Sequence, residues 1–210
     1  GGYMAFDAGT GIPEVRCEHS DNFRFGCFNH ARKLTNQTIA LFSKILKECP
    51  KSTLVLKSIS FHEEAERERI RKKFEMHSIE PKRLIVMDWV PGGLGHLSCY
   101  NQIDAALDPF PYGGATTTAE ALWMGVPVVT QRHLGMAGCL STSLLSFSNQ
   151  GQWIAKTEQE YLKITKELFL LGRRGDKDRV KLRSAVQHSP LSDAKRLSQE
   201  LESLYRGLAQ

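Results

Sequence analysis

Strands alternating with helices predict an α/β fold, a Rossmann-like parallel sheet with helices on both faces. Three observations carry that expectation. Short apolar, β-branched runs recur along the chain. Between them apolar residues return at helical spacing. The richest clusters of Gly, Pro and Thr fall directly after strands, where sheets of this kind bind their ligands. With 210 residues, the chain can bury a substantial core.

The elements follow in order. Residues 1–22 show no period and read as a linker or arm, leaving 23–210 as the folded lobe. FRFGCF (23–28) is strand-like. TNQTIALFSKILKEC (35–49) opens on Thr35, a good N-cap, and sets Ile39, Phe42, Ile45 and Leu46 on one helical face. STLVLKSIS (52–60) is a β-branched strand, and 62–78 is a charged helix with a thin seam of Ala65, Ile70 and Phe74. RLIVMDW (83–89) reads as a buried strand. A Gly-rich turn and short helix follow over 91–102, then the strand of IDAALDP (103–109). TTAEALWMG (117–125) is a helix stopped by Gly125 and Pro127. VPVVTQ (126–131) is a strand, 135–148 a helix of small residues, and QWIAK (152–156) a short strand. Three helices close the chain at about 157–171, 176–187 and 193–208, the last capped by Asp193.

Composition excludes several classes. No run approaches the roughly 18 apolar residues that a membrane helix needs, and no apolar leader opens the chain. The five cysteines are scattered without a C-x-x-C pair, which favours a reduced, cytoplasmic protein with no disulfide framework and no metal site. The net charge of +5 suits a phosphorylated small molecule or an acidic partner. The basic runs 67–73 and 172–183 contain acids and read as solvated helix faces, so nucleic acid is not the expected partner. Trp89, Trp123, Trp153 and the methionines at 87, 124 and 136 read as core packing.

The informative stretch is DPFPYGGATTTAEALWMG (108–125). It places a strand-ending aspartate, a glycine pair and three threonines before an amphipathic helix. Glycines allow backbone amides to approach a ligand, and the free N–H groups of a helix's first turn attract phosphate. Threonine hydroxyls add neutral donors. Glu120 shares a helical face with Thr116 and Thr117, where a carboxylate can accept from sugar hydroxyls. The plainer alternative is a capping box of Thr117 and Glu120. No G-K-[ST] or G-x-G-x-x-G occurs, which disfavours ATP hydrolysis and dinucleotide redox.

LDPFPYGGATTTAEALWMGVPVVT (107–130) resembles the donor-binding segment of the O-linked N-acetylglucosamine transferases, especially their bacterial tetratricopeptide-linked, SPINDLY-like members. The stretches 25–56, 83–90 and 189–208 are similar to the family's first strand and lysine-bearing loop, a later strand and its closing helix. The resemblance implies the carboxyl-terminal lobe of a GT-B glycosyltransferase. It implies a UDP-sugar donor, UDP-GlcNAc by preference, and inverting, metal-independent transfer to Ser or Thr hydroxyls. The acceptor would be held by an amino-terminal lobe and helical repeats.

By the same resemblance, Lys33 reaches the donor diphosphate, and His30 lies near those phosphates or caps its loop. His96 packs on the base, while Val90 and Pro91 offer backbone contacts to the base edge. Gly114, Thr116 and Thr117 meet the phosphates, and Glu120 meets the ribose. No cofactor beyond the donor is implied, and no D-x-D metal site is read in the sequence. Cys139 stands where the family carries an arginine. Two alternatives stay open: a lobe of the same type acting on a non-protein acceptor, and a non-catalytic nucleotide-sugar-binding or interaction domain.

Overall fold

A computed structural model describes residues 3–90 and 93–208. Six parallel strands form one sheet in the order β3-β2-β1-β4-β5-β6. They are β1 (Phe23–Cys27), β2 (Ser52–Lys57), β3 (Leu84–Met87), β4 (Ala105–Leu107), β5 (Val128–Gln131) and β6 (Ile154–Ala155). Between and after them run α1 (Asn36–Glu48), α2 (Glu64–Glu75), α3 (Gly93–Ser98), α4 (Thr116–Trp123), α5 (Met136–Phe147), α6 (Glu158–Leu171), α7 (Asp176–Gln187) and α8 (Ala194–Leu208). The chain winds outward from β1 to β3, then restarts at β4 beside β1 and winds the other way. That reversal leaves a crevice beyond the carboxyl ends of β1 and β4, the switch point where doubly wound sheets take ligands.

The central strands are buried on both faces. Phe25, Leu54, Leu56 and Val129 are fully excluded from solvent, as a parallel sheet covered by helices requires. Gly26 in β1 is a packing glycine, since a Cβ there would lie 2.4 Å from the Ile103 side chain. Thr35 caps α1 as expected, its hydroxyl accepting from the Thr38 amide at 3.1 Å. Asp193 likewise receives the Arg196 amide at 2.9 Å where α8 begins.

Several expectations are corrected. β3 is an edge strand rather than a buried one, with Ile85 exposed, because it has a neighbour on one side only. Trp89 and Met136 lie on the surface, whereas Trp123, Trp153 and Met124 are core. The strand expected over 152–156 shrinks to two residues after a 3₁₀ turn at Gly151–Trp153. The two basic runs also part company. Along α2, Arg67 and Arg69 pair with Glu64 and Glu66 at the surface, as a solvated face should. The second run turns inward. Arg179 is 1% exposed and donates to the carbonyls of Tyr100 and Ile103. Arg173 donates to buried Asp104 at 3.0 and 3.1 Å. Residues 179, 182, 183 and 186 form one helical stripe, and that stripe faces the core side of α7.

The arginines also fasten the amino-terminal arm. Residues 3–22 before β1 carry no helix or strand, yet they are tied to the body. Arg183 donates to Pro13 O at 3.1 Å, Arg173 to Ser20 O at 2.9 Å, and the Phe6 ring meets Trp123 edge-on at 5.6 Å. Asp176-Lys177-Asp178 does have D-x-D spacing, which the sequence reading passed over. It forms the first turn of α7, where Asp176 accepts from the Cys17 amide and Asp178 pairs with Lys181. No described helix is long and apolar enough to cross a membrane.

Candidate functional site

The site grows out of the segments that follow β1 and β4. After β1 the chain passes through Asn29 and a 3₁₀ turn, Ala31–Lys33. His30 caps that turn, its Nδ1 accepting from the Arg32 amide at 3.2 Å, so capping is the role the geometry shows for this exposed ring. Lys33 reaches across the switch point. Its ammonium donates to Gly113 O at 2.7 Å and to Asn29 Oδ1 at 3.2 Å. A cation thus lies against the backbone of the glycine loop, 80 residues away in sequence.

After β4, Asp108 organises the loop. It is 1% exposed. Its Oδ1 accepts from the Gly114 amide at 2.7 Å and its Oδ2 from the Thr130 hydroxyl at 2.8 Å. Burial raises its pKa above the ordinary carboxylate value, opposed by these donors and by the charge of Lys33. The glycine pair therefore serves a different purpose from the expected one. Gly114 spends its amide on Asp108 rather than offering it to a ligand. A Cβ at Gly113 would lie 2.6 Å from Asp108 Oδ2, and one at Gly114 2.6 Å from the hydroxyls of both Thr117 and Thr118. Only glycine lets the loop fold this tightly over the carboxylate.

The three threonines separate by depth. Thr116 is exposed, Thr117 half-buried and Thr118 buried against the Ser141 hydroxyl at 2.9 Å. Thr117 donates to Asn29 Oδ1 at 3.2 Å. Ala115 occupies the N-cap of α4 and supplies no side-chain bond. The first amides of α4, at Thr116 and Thr117, thus stand without an intrahelical acceptor at the crevice. The Thr117–Glu120 capping box is not formed. Glu120 Oε2 instead accepts from His96 Nε2 at 2.8 Å and from the Tyr100 hydroxyl at 3.2 Å.

One turn along α4 from the free amides, then, lies a carboxylate already engaged with the predicted base-contacting histidine. The His96 ring stands edge-on to Tyr100 at 5.8 Å, and its Nδ1 is 2.5 Å from the ammonium of Lys57, the last residue of β2. Val90 is half-buried where β3 leads toward α3; Pro91 lies outside the described residues. Cys139 is half-buried, its thiol donating to His133 O at 3.0 Å, so no cation enters from α5 at this position.

Lys33, Thr116, Thr117, Glu120 and His96 are therefore gathered beyond the carboxyl ends of the strands. Sequence reasoning missed Asn29, Lys57 and Tyr100, which connect them. A lysine ending an apolar strand was the available signal for Lys57. Among the described residues no group of three His, Cys, Asp or Glu side chains could hold a metal.

A six-stranded sheet of order 3-2-1-4-5-6 defines a doubly wound α/β protein, and its polar cluster lies at the switch point, where sheets of this kind bind ligands. Residues 18–201 match Glycosyl transferase family 41, and the chain belongs to that family. It is 33% identical over 184 residues to the probable UDP-N-acetylglucosamine–peptide N-acetylglucosaminyltransferase SPINDLY of Eustoma exaltatum subsp. russellianum, covering 88% of this chain and 20% of the relative. It is 30% identical to the UDP-N-acetylglucosamine–peptide N-acetylglucosaminyltransferase of Caenorhabditis elegans, covering 88% of this chain and 16% of the relative. A mutant of the Thermobaculum terrenum O-GlcNAc transferase superposes with a TM-score of 0.77 at 31% identity, over 92% of this chain and 38% of that one. The fold is GT-B-like, as the sequence led one to expect. The chain spans about a fifth of the length of the curated relatives it matches.

Proposed function

We propose that this chain is the donor-binding lobe of a protein O-glycosyltransferase, taking a UDP-sugar, by preference UDP-GlcNAc, at the switch point. The observation that carries the reading is the order of groups along the crevice. The Lys33 ammonium and the first amides of α4 come first, then Glu120, then His96. A diphosphate at the helix start meets one full positive charge and the helix dipole. A pentose then reaches Glu120, and a base reaches the imidazole. The names of the relatives support a nucleotide-sugar donor and a peptide acceptor.

The reaction that fits forms a bond from a Ser or Thr hydroxyl oxygen to the sugar carbon and breaks that carbon's bond to the nucleoside diphosphate, with inversion, the hydroxyl proton passing to a base assigned to the amino-terminal lobe. As that bond breaks, negative charge grows on the leaving diphosphate. Lys33 is held by Gly113 O and Asn29 before any ligand arrives, so little reorganisation is needed to meet that charge. In this reading the diphosphate charge is met by Lys33, the helix start and the threonine hydroxyls, without a metal. Acceptor binding is assigned to an amino-terminal lobe and helical repeats, so the 210-residue chain alone binds donor weakly and transfers nothing.

Calorimetric titration of UDP, with a parallel assay of labelled GlcNAc transfer to peptide, tests both halves. Saturable UDP binding without transfer is the expected result. Transfer by the chain alone would overturn the assignment of the acceptor site, and no UDP binding would overturn the donor site.

A further inference from the structure

Among the described residues Lys57 is the one buried lysine, at 2% exposure, and its sequence context pointed to no role. It ends β2 at the carboxyl edge of the sheet, with its ammonium 5.6 Å over the Phe28 ring. No ion pair reaches it among the described residues. Its closest polar partner is His96 Nδ1 at 2.5 Å. Burial lowers its pKa, while the nearby Cys99 and Glu120 act to raise it. A buried cation with a single imidazole nitrogen for a partner calls for an explanation beyond packing.

We propose that Lys57 is a positioning residue for nucleotide recognition: by donating to Nδ1, it holds His96 as the Nε2–H tautomer, with that proton on Glu120. An ammonium can only donate, so Nδ1 must present its lone pair. The ring proton then sits on Nε2, 2.8 Å from Glu120 Oε2. With Nδ1 protonated instead, a bare Nε2 would face a carboxylate oxygen and the contact would be repulsive. His96 is thereby fixed at both nitrogens, its plane set by Lys57 on one side and Glu120 on the other. The Tyr100 hydroxyl falls on the same oxygen, Oε2. The proposal assigns Oε1 to the pentose hydroxyls and the fixed imidazole face to the base. It rests on the reading of this crevice as a nucleotide-sugar site, and it concerns the nucleoside end, away from Lys33.

The test uses the chain with ¹⁵N-labelled histidine and the variant Lys57→Met, which keeps an unbranched apolar side chain one atom shorter and removes the ammonium. Long-range ¹H–¹⁵N correlation spectra report the tautomer of His96 directly, without ligand. The unaltered chain should show His96 protonated on Nε2 alone. Lys57→Met should move the Nδ1 resonance, which loses its donor, and weaken UDP by about tenfold, the size of one hydrogen bond to a charged group. Inorganic pyrophosphate, which uses only Lys33 and the start of α4, should bind the variant as before. A proton on Nδ1 in the unaltered chain would overturn the proposal even if the variant failed to fold. So would an unchanged Nδ1 resonance in Lys57→Met, or equal loss of UDP and pyrophosphate. UDP binding undiminished in Lys57→Met sinks this inference alone, whereas no UDP binding by the unaltered chain sinks the donor site with it.

Discussion

Two loops leave neighbouring parallel strands at the same edge of the sheet and are built in opposite ways. The loop after β4 is fastened along its length. Asp108 holds Gly114 and Thr130, Lys33 holds Gly113 O, the Ser141 hydroxyl donates to Gly114 O at 2.9 Å and the Thr38 hydroxyl to Phe110 O at 2.9 Å. The loop after β5 projects Leu134, 99% exposed, and Met136, 77% exposed. Its ties lie at its two ends: the Arg132 amide donates to Ala155 O at 2.8 Å, the His133 amide to Gly138 O at 3.2 Å, the Cys139 thiol to His133 O at 3.0 Å, and the His133 ring stacks on Phe110 at 5.5 Å. On the function proposed above, the contrast separates two tasks. A site that must stabilise growing charge needs dipoles held in place beforehand. An apolar rim needs none of that restraint.

The largest effect that would sharpen this contrast is at Asp108. Asp108→Ala leaves the Gly114 amide and the Thr130 hydroxyl unsatisfied in buried surroundings, and should destabilise the fold by about 3 kcal/mol. Urea unfolding measures it. A loss under about 1 kcal/mol would show that the loop does not depend on its carboxylate.

Lys33→Met comes next. It should cut UDP affinity by about tenfold or more, since it removes a charged donor, while shifting stability by no more than about 1 kcal/mol. Equal affinity in the two proteins would remove Lys33 from the phosphate site.

Asp108 also gives the fold a pH signature. Its folded pKa lies above the ordinary 3.8, so the folded state binds the proton more tightly than the unfolded chain. The stability this provides is full below pH 3.8 and is lost as pH rises through the raised value. Unfolding of the unaltered chain and of Asp108→Asn should therefore diverge across that window, with the carboxylate form losing ground as pH increases. Parallel curves would contradict the burial argument.

The smallest effect is expected at Leu134→Ser, within about 0.5 kcal/mol of the unaltered stability because the side chain touches solvent. A large loss there would erase the distinction between the two loops.

Much of this was legible in the sequence, for identifiable reasons. Alternating periods gave the parallel sheet, and the Gly-Thr block located the crevice after β4. The connecting residues were not legible. Asn29, Lys57 and Tyr100 act through contacts between segments far apart in the chain, and spacing carries no trace of such contacts. The glycines were recognised but their reason was not: they make room for Asp108 and two threonine hydroxyls, a steric requirement visible only once the loop is folded. The run 172–183 misled because its charge count was weighed without its period. The stripe of Arg179, Leu182, Arg183 and Val186 already marked an inward face.

The central claim is that a diphosphate sits where α4 begins, opposite Lys33. Amide chemical-shift mapping during titration with UDP and with inorganic pyrophosphate tests it most directly. Both ligands should perturb Lys33 and the amides from Gly113 to Thr117, with UDP alone extending to His96 and Glu120. Perturbations centred on another surface, such as the end of α7 around Gln187–Arg196, with Gly113–Thr117 unmoved, would contradict it.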